Sequence, residues 1–148
     1  MVNLNEIKDR CAQVYQEAER LLTGVGYREM GQICIVSPGD TVESRTLYYA
    51  LMEYIKALDM ASIYMDQVCA DEVEKGVIHK NDDGSYIFNG NELEAGDVVQ
   101  VYNDDMEIWE ILMLDDCFEP GNHRLVLREK AEIELDGLEI RHAKTGWS

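Results

Sequence analysis

Carboxylates are the groups in this chain best placed to do chemistry. Three doublets stand out, Asp82-Asp83, Asp104-Asp105 and Asp115-Asp116, with Glu119 close behind the last. Acids in this pattern have three uses. Spread over one face, they imitate a phosphate backbone and occupy the Lys/Arg-lined groove of a nucleic-acid enzyme, where complementary charge speeds encounter. Clustered, they hold a divalent cation, although the D-x-D-x-D-G spacing of an EF-hand loop is absent. In turns, they hydrogen-bond to nearby backbone and keep a surface soluble.

Catalysis has weaker support. Asp97, Glu107 and Glu110 could supply an acid–base pair, but a chain with 30 acids generates such pairs by chance. His79, His123 and His142 stand without a neighbouring nucleophile or acid arrangement of known type. Ser37 precedes Pro38 in a turn and lacks the G-x-S-x-G frame of a nucleophile elbow. Gly24-Val25-Gly26 follows a helix, whereas a phosphate-cradling loop opens one after a strand. The cysteines Cys11, Cys34, Cys69 and Cys117 form no C-x-x-C pair, so no zinc site is expected. Cys11 and Cys69 are expected as small buried apolar residues. No catalytic residue, metal or cofactor follows from these patterns.

The formal charge is −17, and residues 77–148 hold seventeen acids against six bases, a net of −11. Such a field repels nucleic acid and anionic membranes and attracts basic partners. No apolar run approaches the roughly 18 residues needed to span a bilayer. Met1-Val2-Asn3-Leu4-Asn5-Glu6 lacks the basic region and apolar run of a secretory signal, so the cytoplasm is the expected location.

These acids must be positioned by two kinds of element. Leu4, Ile7, Cys11, Val14, Ala18 and Leu21 recur at alternating spacings of three and four, a heptad seam capped by Asn3 or Asn5 and stopped by Gly24 and Gly26. A connector follows, with Ile33 to Val36 extended and Ser37-Pro38-Gly39-Asp40 as a turn. Asp40 and Glu43 have capping-box spacing for a second helix from about Thr41 to Lys75, with Gly76 as its stop. Its seam is Leu47, Leu51, Tyr54, Leu58, Ala61, Met65 and Val68, which predicts an antiparallel hairpin with the first helix. A surplus stripe (Tyr48, Met52, Ile55, Met60, Ile63, Tyr64) then remains, to be covered by the rest of the chain, by a second subunit or by a target.

After Val77 the period changes to two. Tyr86 to Phe88, Val98 to Tyr102, Met106 to Leu114, His123 to Leu127 and Leu138 to Arg141 read as short strands between tight turns. The acid doublets fall at turns or strand ends in this reading. A small antiparallel barrel or sandwich follows, and Glu94-Ala95-Gly96-Asp97 ahead of a strand bearing Trp109 has an SH3-like look. Tyr86, Phe88, Tyr102 and Trp109 could stack single-stranded bases, but that use needs basic residues, so Phe88 and Trp109 are assigned to the core. Trp147 sits in a tail, either untethered or as a contact anchor.

Several phrases carry a resemblance: Gly84-Ser85-Tyr86-Ile87, Leu93 with Gly96-Asp97, Trp109, Arg124-Leu125-Val126-Leu127 and Asp136-Gly137-Leu138-Glu139-Ile140-Arg141. With them, the region from about Gly84 to His142 resembles a short bacterial domain family of unknown function, frequent in Gram-positive genomes and their mobile elements. The resemblance implies a small β-domain and a mobile-element setting, and it implies no known chemistry.

The expected fold is therefore α+β, a helical hairpin over residues 1–76 followed by a small antiparallel SH3-like barrel over residues 77–148. The expected function is a non-enzymatic acidic interaction module, of the kind used by anti-restriction and anti-CRISPR inhibitors as DNA mimics. Its contacts on a basic nuclease surface would be Asp82, Asp83, Asp104, Asp105, Asp115, Asp116 and Glu119, with no direct nucleic-acid or membrane contact. The alternative is a structural or regulatory adaptor that works through the helical face (Tyr48, Met52, Met60, Tyr64), with the helices as a scaffold or homodimer and the acids serving solubility.

Overall fold

The computed structural model describes residues 1–35, 37, 39–119 and 122–144, with side chains left aside at 119, 122, 123 and 144. The chain divides into two compact units, Met1–Cys69 and Ala70–Ser148. Among the described residues, no helix is long and apolar enough to cross a membrane.

The first unit is helical. Helix α1 spans Leu4–Gly24, and Asn3 caps it by accepting the Glu6 N–H at 2.9 Å. Gly26, at φ 80°, turns the chain into a short helix α2, Tyr27–Met30, within the stretch expected to be a connector. A Cβ at Gly26 would meet Cys34 Sγ at 2.6 Å, so glycine is required there for space as well as for φ. Helix α3 spans Val42–Cys69. Its cap is Thr41, whose Oγ1 accepts the Ser44 N–H at 3.0 Å, and not the expected Asp40. In the turn before it, Ser37 Oγ accepts the Gly39 N–H, and Pro38 lies outside the described residues.

The two long helices run antiparallel. Tyr15, midway along α1, donates to Asp66 near the end of α3, and Arg28, just past α1, is clamped by Glu19 and by Asp59 earlier in α3. Further back on α3, Met52 Sδ accepts the Ile33 N–H at 3.2 Å. Burial keeps the Tyr15 hydroxyl protonated well above its ordinary range, and the hydrogen bond to Asp66 adds to the shift. Burial alone would lower the Arg28 pKa, but Glu19 and Asp59 outweigh it and hold the guanidinium charged.

The helix ends at Cys69, and the expected extension to Lys75 is instead strand β1, Glu72–Val77. The reason is long-range. Residues 72–77 pair antiparallel with strand β8, Glu139–Lys144, a partner that helical periodicity cannot reveal. Gly76 is therefore not a helix stop. It lies in the strand because a Cβ there would stand 2.5 Å from Asn89 Oδ1 and 2.9 Å from Phe88 Cε2.

The second unit holds two antiparallel sheets. Strands β5 (Val98–Asn103), β6 (Ile108–Glu119) and β7 (Asn122–Leu127) form a meander, and β8 joins its β5 edge to β1, giving the order β1-β8-β5-β6-β7. A smaller sheet is built from β2 (His79–Lys80), β3 (Tyr86–Phe88) and β4 (Asn91–Glu92), of which β2 and β4 were not foreseen. Among the described residues, neither sheet closes on itself. One core serves both. It gathers Ile78, Tyr86, Phe88, Val99, Leu114 and Ile140 with their neighbours, and pairing of apolar side chains across the strands is what stabilises it.

Candidate interaction surfaces

Strand β6 sets the geometry of the acids. Its first half pairs with β5 and its second half with β7. Asp104 and Asp105 lie in the β5–β6 turn, where Asn103 Oδ1 accepts the N–H groups of Asp105 (3.0 Å) and Met106 (3.1 Å). Asp115 and Asp116 lie inside β6, not at the expected strand end, because pairing with Val126 and Leu125 of β7 carries the strand past Leu114. From Ile108 to Asp116 the chain covers roughly 25 Å at about 3.3 Å per residue, so the two doublets sit at separate places along the strand.

The doublets also differ in how their charge is used. Adjacent strand residues point to opposite faces, which separates Asp115 from Asp116. Asp115 meets Arg128 Nε at 3.3 Å. Asp82 and Asp83 form the β2–β3 turn, where Asp83 Oδ1 accepts the Ser85 hydroxyl at 2.6 Å and the Ser85 N–H at 2.9 Å. Those bonds hold the Asp83 carboxyl below the usual carboxylate range. Glu119 closes β6, and its side chain is outside the described set. Glu110 is taken up by Lys130 Nζ at 2.6 Å and by Asn103, which together lower its pKa.

Two of the predicted acids do come together. Asp83 and Asp116 line one open groove of about 600 Å³, together with Glu92, Glu94 and Arg124 and the apolar Leu93 and Leu125. Glu92 and Glu94 were not singled out from the sequence. Their convergence depends on β3 and β4 folding beside β6, which no local pattern encodes. Among the described residues, no group of three or more His, Cys, Asp or Glu side chains is arranged to hold a metal ion.

The aromatics divide differently from the expectation. Tyr86 and Phe88 are buried. Burial raises the Tyr86 pKa, helped by Glu134, to which the hydroxyl donates at 3.2 Å. Trp109 was assigned to the core but lies on the opposite face of the sheet, in register with Tyr102 and edge-on to it at 5.5 Å. Arg141 covers the indole at 4.7 Å and Lys75 approaches it at 5.7 Å. Arg141 also donates twice to Gln100 Oε1. His142 is half-buried within β8, edge-on to Phe88. Trp147 lies outside the described residues.

The helical unit inverts the expected packing. Among the described residues its buried apolar side chains are Ala18, Leu22, Met52 and Ile55. Of the predicted first seam, only Ala18 is buried; Leu4, Ile7, Cys11, Val14 and Leu21 are exposed. The predicted second seam behaves likewise, with Leu47, Leu51, Tyr54 and Val68 exposed and Leu58 and Met65 half-buried. The supposed surplus stripe supplies the buried positions instead, Met52 and Ile55, with Met52 held against the Ile33 backbone and so unavailable to a partner; Tyr48 is half-buried, and Met60 and Tyr64 are exposed. Cys11 and Cys69, expected to be buried, are exposed; Cys11 lies on the outward seam of α1, and Cys69 is the last residue of α3.

Both seams face the same way. At about 100° per residue, the α3 seam lies roughly a quarter turn from its helix's contact face, and the α1 seam, which shares Ala18 with its own, is offset by roughly half as much, in the same rotational sense seen from each helix's own N-terminus. For antiparallel helices, equal senses put the two seams on one side of the hairpin. That side carries no Asp, Glu, Lys or Arg between Leu47 and Cys69, since Glu53, Lys56, Asp59 and Asp66 all fall on other faces of α3. Met60 and Tyr64 lie a quarter to a third of a turn round α3 from that seam, on the side of the helix remote from α1.

Compared with protein-family models, with curated proteins and with solved structures, the chain finds no match.

Proposed function

We propose that this is a non-enzymatic interaction protein whose working surface is the apolar side of the helical hairpin, with the acidic β unit keeping the molecule soluble. One observation carries the reading. In a chain of net charge −17, two heptad seams lie on one side of a hairpin with Val14 66 % and Tyr54 60 % exposed. Contiguous apolar faces of this kind mark interaction sites. A photo-crosslinker placed at Tyr54 in the full chain should capture protein in cells, and the same group at Asp104 should not. Equal capture from both positions would remove the reading.

Charge mimicry stands as a second reading, and the groove lined by Asp83, Glu92, Glu94 and Asp116 is what favours it. On this reading the β unit, in a mobile-element inhibitor, docks on the basic surface of a nuclease in the cytoplasm. Binding should weaken steeply between low and physiological salt and with Asp→Asn changes at 83 and 116. Binding indifferent to both removes it. The kinship of the β unit with SH3-like barrels is proposed on the same footing. It is supported by a first strand paired to the last, which in turn pairs to a three-stranded meander.

A further inference from the structure

We infer that Cys11 and Cys69 form a redox-responsive pair, which a small disulfide such as oxidised glutathione joins across the open end of the helical hairpin and a thiol reductant reopens. The helical register puts the two side by side. Tyr15 donates to Asp66 across the hairpin. Cys11 precedes Tyr15 by four residues and Cys69 follows Asp66 by three. In antiparallel helices both steps lead toward the open end, by about 6 Å and about 4.5 Å. At about 100° per residue, Cys11 falls about 40° behind Tyr15 and Cys69 about 60° behind Asp66. Equal rotational senses put both thiols on one side of the hairpin, as they do the two seams.

The opposite direction supplies a check. Ala18 stands three residues past Tyr15 and Ser62 four before Asp66, the mirror of the cysteine steps, and both are buried. Side chains this small let the two backbones approach closely. A disulfide needs Cα atoms about 4.4–6.8 Å apart; Cys69 is the final residue of α3, and a helix end that frays closes the remaining gap. Residues 1–10 are all exposed, so the cover that α3 gives α1 stops at the cysteine rung and leaves both thiols open to solvent. Burial, Asp66 and Glu19 do most to raise the Tyr15 pKa, and the Cys69 thiolate also contributes, which places its sulfur near that hydroxyl. The other two cysteines stand elsewhere: Cys34 beside Gly26 at the loop end, and Cys117 in β6.

The exchange runs in two steps. One cysteine thiolate attacks a sulfur of oxidised glutathione, the S–S bond breaks, and one glutathione leaves. The second thiolate then attacks the protein sulfur of the mixed disulfide and expels the other glutathione. The two cysteine protons end on the two glutathiones released, so two electrons pass from the pair to the oxidant. The product ties the last turn of α3 to α1, and an exposed bridge of this kind is readily reduced again.

The test exposes the reduced full chain to oxidised glutathione, blocks the remaining thiols with N-ethylmaleimide, and reads intact mass and tryptic peptides. Two of the four cysteines should be blocked, with no glutathione retained, and peptides 11–20 and 57–75 should be joined. The yield should not change on dilution, and dithiothreitol should reverse it. The bridge should raise the thermal midpoint of the helical signal by roughly 10 °C, a rise absent from Cys11→Ser and Cys69→Ser. In Cys69→Ser, Cys11 should instead retain one glutathione, because the thiol that would expel it is gone. Wild-type Cys11 and Cys69 blocked separately, each carrying its own glutathione, or bridged between two chains, overturn the pair.

Discussion

The two units use apolar residues in opposite ways. In the β unit, the two sheets turn their apolar residues onto one shared core, with Ile78, Val99, Leu114, Leu127 and Ile140 fully enclosed. In the helical unit, the most regular apolar rows face outward and the contact between helices is made by few side chains, reinforced by Tyr15–Asp66 and the Arg28 clamp. A two-helix hairpin cannot surround a core, because each helix offers its neighbour only one stripe. Hydrophobic patterning alone therefore does not distinguish a face that folds a unit from one that joins it to something else.

The contrast can be broken most directly by equivalent truncations. Leu114→Ala should destabilise the β unit by about 2–5 kcal/mol through loss of burial and a residual cavity. Leu51→Ala, on the exposed row of α3, should change stability by less than about 1 kcal/mol. Denaturant unfolding of both chains checks this, and equal losses would erase the distinction. Next in size, Gly76→Ala should destabilise the β unit by about 1–3 kcal/mol, because Phe88 and Asn89 must give way to a new Cβ; a neutral thermal midpoint would show that they shift freely.

Within the helical unit, Tyr15→Phe should cost about 1 kcal/mol by deleting the hydroxyl that meets Asp66. The raised Tyr15 pKa fixes the sign of its pH dependence. Its contribution is complete below about pH 10 and is lost as pH rises above that, where the unfolded chain ionises first. Wild-type and variant unfolding curves taken at pH 7 and pH 11 should therefore converge at the higher pH. In the β unit the sense reverses. Glu110 is held low, so the stability lost in Lys130→Met should be present at neutral pH and vanish as pH falls through the carboxylate range. Smallest of all, Asp104→Asn should stay within about ±0.5 kcal/mol, since its turn is held by Asn103.

Much of the β unit was legible because strand period and turn chemistry are local. Asp82-Asp83-Gly84 and Asn89-Gly90 mark their turns wherever the strands go. The strands that escaped notice, β1, β2 and β4, are short or charged and exist through partners far along the chain. The same cause hid the groove, where Glu92 and Glu94 reach Asp116 only after the smaller sheet has folded. Trp109 was misassigned because alternation identifies the two faces of a strand but not which of them is inside. Gln100, Lys75 and Arg141 give the outer face its own cover.

What the sequence by itself determined is the inventory: two long helices, a β region, the turns, and a strong surplus of acid. Periodicity and composition are properties of neighbouring residues, so one chain suffices to read them. Which apolar stripe of α3 meets α1, where that helix yields to β1, and which acids share a groove were decided only by tertiary structure. A helix apolar on several sides offers more than one face to its neighbour, and the choice is made by distant groups such as Asp66 and Asp59 finding Tyr15 and Arg28.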